Sequence, residues 1–128
     1  MFGLLPTRIH GLLDYLMGAA LIVVPLAFEF GAGPQTWLPV LLGGGVIIYS
    51  LLTDYELGVV PLFGMTAHLM MDGLGGLLLA SSPWLFGFYW EIWIPHLLFG
   101  LAAVAAAIFT RTQISREPTG FSSVKAPA

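Results

Sequence analysis

Two stretches decide the fold of this chain: HGLLDYLMG at residues 10–18 and HLMMDGLGG at residues 68–76. They align at an offset of 58 residues, and the alignment continues towards the carboxyl terminus. The pairs that match at this offset are His10/His68, Asp14/Asp72, Gly18/Gly76, Pro25/Pro83 and Phe28/Phe86. With a shift of one residue, Gly43 matches Gly100 and Thr53 matches Thr110. A repeat of this period predicts two copies of one helical unit.

The composition around these stretches is too apolar for a soluble domain. Of 128 residues, 58% are hydrophobic and only 9% are charged, whereas charged residues make up about a quarter of an ordinary soluble domain. So few charges cannot coat the surface that a short chain leaves in water. The composition therefore predicts a protein whose solvent is the lipid bilayer.

The same composition excludes several classes of function. Four basic residues cannot neutralise a run of phosphates, so we expect no nucleic-acid partner. Without cysteine the chain has no disulfide, thiolate metal site or iron–sulfur cluster. The glycine-rich phosphate motifs and the serine motif of soluble enzymes are also missing from the sequence, which favours a noncatalytic protein.

Four apolar segments predict four crossings, since about 20 apolar residues span the hydrocarbon core. These segments cover residues 9–28, 36–53, 62–82 and 92–110. We predict one all-α domain, a four-helix transmembrane bundle of two tandem two-helix repeats, residues 1–58 and 59–112, with a polar, disordered tail at residues 113–128. Because each repeat crosses twice, the two copies share one orientation, and we expect parallel pseudo-twofold symmetry about the membrane normal.

The basic residues predict the orientation of the bundle. Every one of them flanks a terminus: Arg8, Arg111, Arg116 and Lys125. An even number of crossings puts both termini on one side, and the positive-inside rule makes that side cytoplasmic. Aromatic residues bracket the two turns on the other side, as expected for an interfacial belt.

The third apolar segment ends in SSPWLFGF, residues 81–88. Its Ser82-Pro83-Trp84 resembles the signature of the SPW-repeat family of small bacterial integral membrane proteins, where it ends the first helix of a two-helix repeat. The resemblance covers the chain up to about Arg111 and implies a four-helix architecture, a bacterial cytoplasmic (inner) membrane location and no established activity. The first copy keeps only the proline, Pro25.

The signature has a physical interpretation of its own. We expect Pro83 to end the helix, Ser81 and Ser82 to bond back to its last carbonyls, and Trp84 to anchor the turn at the membrane interface. This interface anchor is structural. The alternative is a small outward-facing site beneath Trp84 and Trp90.

The residues most suited to chemistry are two His-x-x-x-Asp pairs. Spacing of four places His10 beside Asp14 on one helix face and His68 beside Asp72 on another. Because ionisable groups are costly in lipid, we expect all four to face protein. The first and third helices run in the same direction, so the pairs lie at equal depth near the cytoplasmic end and can converge.

Three explanations of such a convergence compete. The first is a polar lock, in which each imidazole bonds its own aspartate or the neighbouring helix and fixes helix register. The second is a metal or haem site, since two imidazoles and two carboxylates can form a four-coordinate set. The third is a proton or substrate relay. The sequence leaves both the metal and the cofactor unknown.

Small residues mark a packing stripe on the fourth helix, which also carries the secondary candidate His96. The stripe comprises His96, Gly100, Ala103 and Ala107, and the second helix offers Gly43 and Gly44 in return. Small residues let helix backbones approach closely. We expect helix packing with one hydrogen-bonded histidine. The alternatives are an outer ligand site at His96 and a contact between two protomers through this stripe or through the Ala102 to Ala106 face beside it.

These patterns favour a small integral membrane protein with a structural or accessory role, as a noncatalytic subunit or a self-associating module. Its expected partners are the lipid bilayer and a second copy or a larger membrane complex. The alternative is a ligand-handling protein that binds a metal or haem, or relays protons, through the paired His and Asp residues.

Overall fold

The computed structural model describes residues 3–113 and consists of four α-helices. The helices are α1 (Thr7–Ala27), α2 (Pro34–Leu51), α3 (Met65–Leu85) and α4 (Ile94–Phe109). Over residues 3–113 there is no strand, only isolated bridges such as Leu5 with Thr110. The all-α prediction is confirmed. Apart from its first residue, the predicted tail lies outside the described residues.

The helices begin where proline and glycine allow it. Proline stands in the first turn of both α2 and α4, where the missing N–H costs no helical bond. Ahead of α2, Gly31 and Gly33 have φ of 96° and 123°, a region that favours glycine. The turn between the first two helices therefore depends on these two glycines.

Helix α3 begins later than the apolar pattern suggests. The segment before it folds back on the end of α2, where Val59 N and Val60 N donate to Leu51 O at 2.7 and 3.0 Å. Phe63 N likewise donates to Leu52 O at 2.9 Å. These bonds satisfy carbonyls that the end of α2 leaves without helical partners.

The membrane crossings are only partly supported by helix length and hydropathy. Within the described part of the chain, α1 is the one helix both long and apolar enough to cross a bilayer. Helix α4 is apolar but has 16 residues. The four crossings therefore stay a prediction.

The helices pack as two hairpins. Helix α1 lies along α2, and α3 lies along α4, whereas the hairpins meet less extensively, mainly through α2 and α3. Glycines set the close approach within each hairpin. A Cβ added at Gly43 would lie 2.6 Å from Gly18 O, and one at Gly100 would lie 2.5 Å from Gly76 O. These two contacts are equivalent under the sequence repeat.

The predicted packing stripe of α4 faces α3. Ala103 Cβ lies 3.0 Å from an ideal Cβ on Gly76, and Ala107 Cβ lies 3.9 Å from one on Gly73. Because the stripe is used inside the hairpin, it is not available to join two protomers. Gly44 differs from its neighbour Gly43: open space surrounds the position of its missing Cβ, so it makes no close helix contact.

Pro83 lies inside α3 rather than at its end, and the helix continues to Leu85. A proline in a helix leaves the carbonyl four residues earlier without its N–H partner. Here Ser82 Oγ donates to Leu79 O at 2.6 Å and supplies that partner. Ser81 Oγ donates to Leu77 O at 2.6 Å. The back-bonding of both serines was expected, and that of Ser82 satisfies the carbonyl that Pro83 leaves without a partner.

The bundle buries ionisable side chains beside apolar ones and exposes large apolar side chains. His10 and His68 are fully buried, whereas Leu16 and Leu41 are more than half exposed. Further exposed side chains run along the helices: Leu12, Val23, Leu26, Ile48, Met70, Leu74, Leu77 and Leu98. This distribution is the reverse of that in a soluble domain.

The glycine contacts predict unequal costs for adding one methyl group. Gly100→Ala forces Cβ against backbone and should lower the free energy of unfolding by about 1–3 kcal/mol. Gly44→Ala is the matched control, and should be neutral or stabilise by up to about 1 kcal/mol through helix propensity. Unfolding in detergent micelles, followed by circular dichroism, measures both. Equal effects of the two variants would contradict the observed packing.

Candidate functional site

Four ionisable side chains meet between the two hairpins. They are the four residues predicted from the repeat, here named the His/Asp cluster: His10 and Asp14 of α1, and His68 and Asp72 of α3. All four are buried, and one ligand atom from each lies within 4.8 Å of the others. The equivalent helices α1 and α3 thus direct equivalent side chains to one point between the hairpins.

The shortest contacts of the cluster cross from one hairpin to the other. His10 Nε2 lies 2.7 Å from Asp72 Oδ2, but 3.1 Å from Asp14 Oδ2 of its own helix. His68 Nε2 lies 2.6 Å from Asp14 Oδ2 and 3.2 Å from Asp72 Oδ2. The four atoms therefore form a closed ring in which nitrogen and oxygen alternate.

Two threonines fix the orientation of the imidazoles. His10 Nδ1 lies 2.7 Å from Thr110 Oγ1, and His68 Nδ1 lies 2.8 Å from Thr53 Oγ1. Each hydroxyl already donates its proton to a backbone carbonyl, Thr53 to Tyr49 O and Thr110 to Ala106 O. Each hydroxyl must therefore accept from the histidine, so that both Nδ1 atoms carry hydrogen.

The hydrogen on each Nδ1 determines which charges the ring of Nε2 and Oδ2 atoms must bind. With hydrogen on Nδ1, a neutral imidazole presents only a lone pair at Nε2, and a carboxylate oxygen also only accepts. Contacts of 2.6 and 2.7 Å between such atoms require a proton between them or a cation that binds both. Two carboxylates carry two negative charges, which two protons or one divalent cation balance.

Tyr49 makes the cluster asymmetric. Its hydroxyl donates to Asp72 Oδ1 and leaves Oδ2 to the ring, and its ring lies edge-on to His68 with centroids 5.0 Å apart. The position equivalent to Tyr49 at an offset of 57 is Ala106, which has no hydroxyl to offer Asp14. The two carboxylates therefore differ in their surroundings.

The sequence alone assigns no role to these supporting residues. Thr53 and Thr110 are matched by the repeat, and that match was the available signal. Tyr49 has no counterpart, so the repeat gives no indication of its contact. Tyr55, in the segment between α2 and α3, packs near His68 with ring centroids 5.6 Å apart. Burial raises the pKa of its phenol, which therefore stays neutral.

A cavity of about 450 Å³ adjoins the cluster. Asp14, Asp72 and Tyr49 form its polar part. Apolar side chains of all four helices form the remainder, among them Met17, Leu21, Leu42, Leu79, Phe99 and Ala102. A proton relay from the cluster along this cavity would have to pass apolar walls, which offer no hydrogen-bonding steps.

The ring of contacts is too tight for haem. A haem held by two imidazoles needs its flat macrocycle between the two ligating nitrogens. That space holds the two carboxylate oxygens, each within 3.2 Å of both Nε2 atoms. The arrangement fits protons or a bare ion.

His96 lies apart from the cluster and acts in helix packing. Its Nε2 donates to Gln35 O at 2.9 Å, and its ring lies 4.8 Å from that of Phe88 and 5.6 Å from that of Phe30. Gln35 Nε2 in turn donates to Glu91 Oε2 at 2.8 Å. His96 and Gln35 thus connect the hairpins at the end opposite the cluster.

The Ser-Pro-Trp residues also lie away from the cluster. Ser82 and Pro83 are buried in the last turns of α3, where the hydroxyl compensates for the proline. Trp84 is half exposed, and its ring centroid lies 6.1 Å from that of Trp93. This geometry fits a helix end and an aromatic anchor.

The crossed contacts predict where energetic coupling lies. In a double-mutant cycle with alanine, we expect His10 and Asp72 to be coupled by about 1–3 kcal/mol. His10 and Asp14, on one helix but farther apart, should be coupled less. Chemical unfolding in detergent micelles measures both cycles. A His10/Asp72 coupling under about 0.5 kcal/mol would contradict the crossed arrangement.

Comparison with known proteins assigns the chain to a family. Neither the curated proteins nor the solved structures include a match to this chain. The family model of the SPW repeat domain matches residues 8–110, which span nearly all of the four helices. The chain therefore belongs to the SPW repeat family.

Proposed function

We propose that this protein is a small integral membrane protein with a structural or accessory role, in which the His/Asp cluster locks two hairpin repeats together. The crossed contact of each imidazole with the other hairpin's carboxylate carries the proposal. Membership of the SPW repeat family indicates a small membrane-type protein and leaves its role open. We infer the membrane crossings from which side chains are exposed, and the orientation from where the two ends of the described chain lie.

Lipid as the surrounding solvent is supported by the reversed polarity of the bundle. Ionisable side chains are buried between helices, and large apolar side chains face outwards. In water such a surface would favour aggregation. In a bilayer it faces acyl chains, and the buried ionisable groups avoid them. This distribution supports four crossings, although among the helices of residues 3–113 α1 alone is both long and apolar enough to cross a bilayer.

The proposed topology has two hairpins of parallel orientation and both termini on the cytoplasmic side. Leu5 N donates to Phe109 O at 2.9 Å, so the described chain ends lie together. Arg8 and Arg111 are at this end, as the positive-inside rule requires of the cytoplasmic face. Exposed aromatic side chains mark the other end, among them Phe28, Trp37, Trp84, Trp90 and Trp93. We place the protein in a bacterial inner membrane.

A lock is needed because lipid gives helices little reason to associate. Acyl chains are as apolar as leucine, so association depends on close packing and hydrogen bonds. Glycine contacts provide close packing within each hairpin, but the hairpins meet less extensively. The crossed contacts supply the missing connection and fix the register of α1 against α3.

The hydrogen bonds of the buried polar groups support an accessory role. The cluster directs its hydrogen bonds to its own members and to Thr53, Thr110 and Tyr49. The small-residue stripe is used within the hairpin. The apolar outer face therefore remains for lipid, a second copy or a larger membrane complex, and we propose a noncatalytic subunit or self-associating module.

The topology can be tested with single cysteines, since the chain has none of its own. Ala32→Cys lies in an exposed outer turn, and Val59→Cys lies between α2 and α3 at a residue that is 72% exposed. In intact cells with a permeable outer envelope, a membrane-impermeant maleimide should label only Ala32→Cys. Val59→Cys should react after the inner membrane is opened. The reverse pattern, or equal labelling of both, would contradict the topology.

The lock predicts that amides can replace the carboxylates. In Asp14→Asn/Asp72→Asn each amide can donate to a neutral Nε2, and the amide oxygen at position 72 can still accept from Tyr49, so the bundle should stay assembled. In Asp14→Leu/Asp72→Leu both Nε2 atoms lose their partners, at about 1–3 kcal/mol each. Thermal unfolding of the full chain in detergent compares the pairs. If the leucine variant is as stable as the wild type, the lock is not what holds the hairpins.

A further inference from the structure

We propose that the His/Asp cluster is a binding site for one divalent transition-metal ion of the Zn²⁺ type, bridging the two hairpins. The donor set is two imidazole nitrogens and two carboxylate oxygens, one of each kind from α1 and from α3. Mixed nitrogen and oxygen ligands in a set of four suit Zn²⁺, which prefers four-coordination in structural sites. The inference goes beyond the lock, since the hairpins can be joined by protons or by an ion.

The dimensions of the ring fit an ion. Its four edges measure 2.6–3.2 Å, and its atoms all lie within 4.8 Å of one another. An ion at the middle of a flat ring with such edges is about 2 Å from each atom, the usual length of Zn–N and Zn–O bonds. A tetrahedral ion with bonds of that length needs its ligand atoms about 3.3 Å apart, so the ring has to pucker and its shortest edges have to lengthen by about 0.7 Å to bind it.

The residues behind the ring are arranged as in a metal site. A ligating histidine almost always donates its other ring N–H to a fixed acceptor, which directs the lone pair at the metal. Thr53 and Thr110 serve as these acceptors, and each is itself anchored to a backbone carbonyl. Tyr49 similarly occupies Oδ1 of Asp72 and leaves Oδ2 for the ion. Tautomer and carboxylate orientation are thus set before any ion arrives.

Charge and access favour a divalent ion. Two neutral imidazoles and two carboxylates carry a net charge of −2, which one divalent cation neutralises in a buried place where an unbalanced charge is costly. The cavity borders Asp14 and Asp72, so the ring adjoins open space on one side. The Asp14 side chain is 10% exposed against 4% for Asp72, so Asp14 is the more accessible ligand.

The test uses the full chain in detergent, stripped with a chelator and then titrated with Zn²⁺ or Co²⁺. We expect one equivalent of Zn²⁺ per chain by elemental analysis, and visible Co²⁺ bands of a four-coordinate site. Asp14→Asn/Asp72→Asn should stay folded by circular dichroism and bind neither ion. If the folded wild type binds no ion, or this variant binds as the wild type does, the metal site is refuted while the lock stands.

A second pair of variants removes the supporting hydroxyls and keeps the ligands. Thr53→Val and Thr110→Val should each weaken Zn²⁺ binding about 10- to 100-fold, the range found for second-shell partners of metal ligands. Thr36→Val is the matched control, because its hydroxyl bonds Gly31 O, far from the cluster. Equal affinity in all three variants would overturn the proposal, and this comparison decides the matter should the amide variant fail to fold.

Discussion

The contact of each imidazole with the carboxylate of the opposite hairpin is the constraint on which this bundle depends. Within a hairpin, glycine brings backbone against backbone, and dispersion over many atoms suffices. Between hairpins a cavity lies where close packing would otherwise be. Beside this cavity the N–O ring of the His/Asp cluster adds directional contacts between the hairpins, which apolar side chains cannot supply.

The cluster is built in layers that extend from the ring to the backbone. The imidazoles meet the carboxylates, the threonine hydroxyls hold the imidazoles, and carbonyls at the ends of α2 and α4 hold the hydroxyls. A displacement of either helix end would thus rotate an imidazole in the ring. At the opposite end His96 and Gln35 make a second, uncharged connection, so the hairpins are held at both ends of their length.

The sequence predicts the convergence of the four ionisable residues but not how they pair. Burial follows from the cost of charge in lipid, and equal depth follows from the repeat. Whether each histidine pairs with the aspartate of its own helix or with that of the other hairpin depends on the distance between the helices. The spacing of residues along the sequence does not give that distance. Similarly, Gly43 packs while Gly44 does not, because adjacent residues point about 100° apart on a helix. Pro83 lies inside α3 and Ser82 replaces the lost donor, but Pro25 also lies inside α1 although Val24 has no hydroxyl, so a proline near the end of an apolar segment does not by itself end the helix.

Tyr49 and Ala106 occupy equivalent positions of the sequence repeat but differ in their side chains, and this difference has a consequence for the symmetry of the protein. Two identical single-hairpin chains, related by a true twofold axis, could build the same ring, but they would have to give both carboxylates identical neighbours. Fusion into one polypeptide removes that obligation, since each position can then mutate alone. The single phenol beside Asp72 is therefore an asymmetry that a tandem protein can have and that a symmetric homodimer cannot.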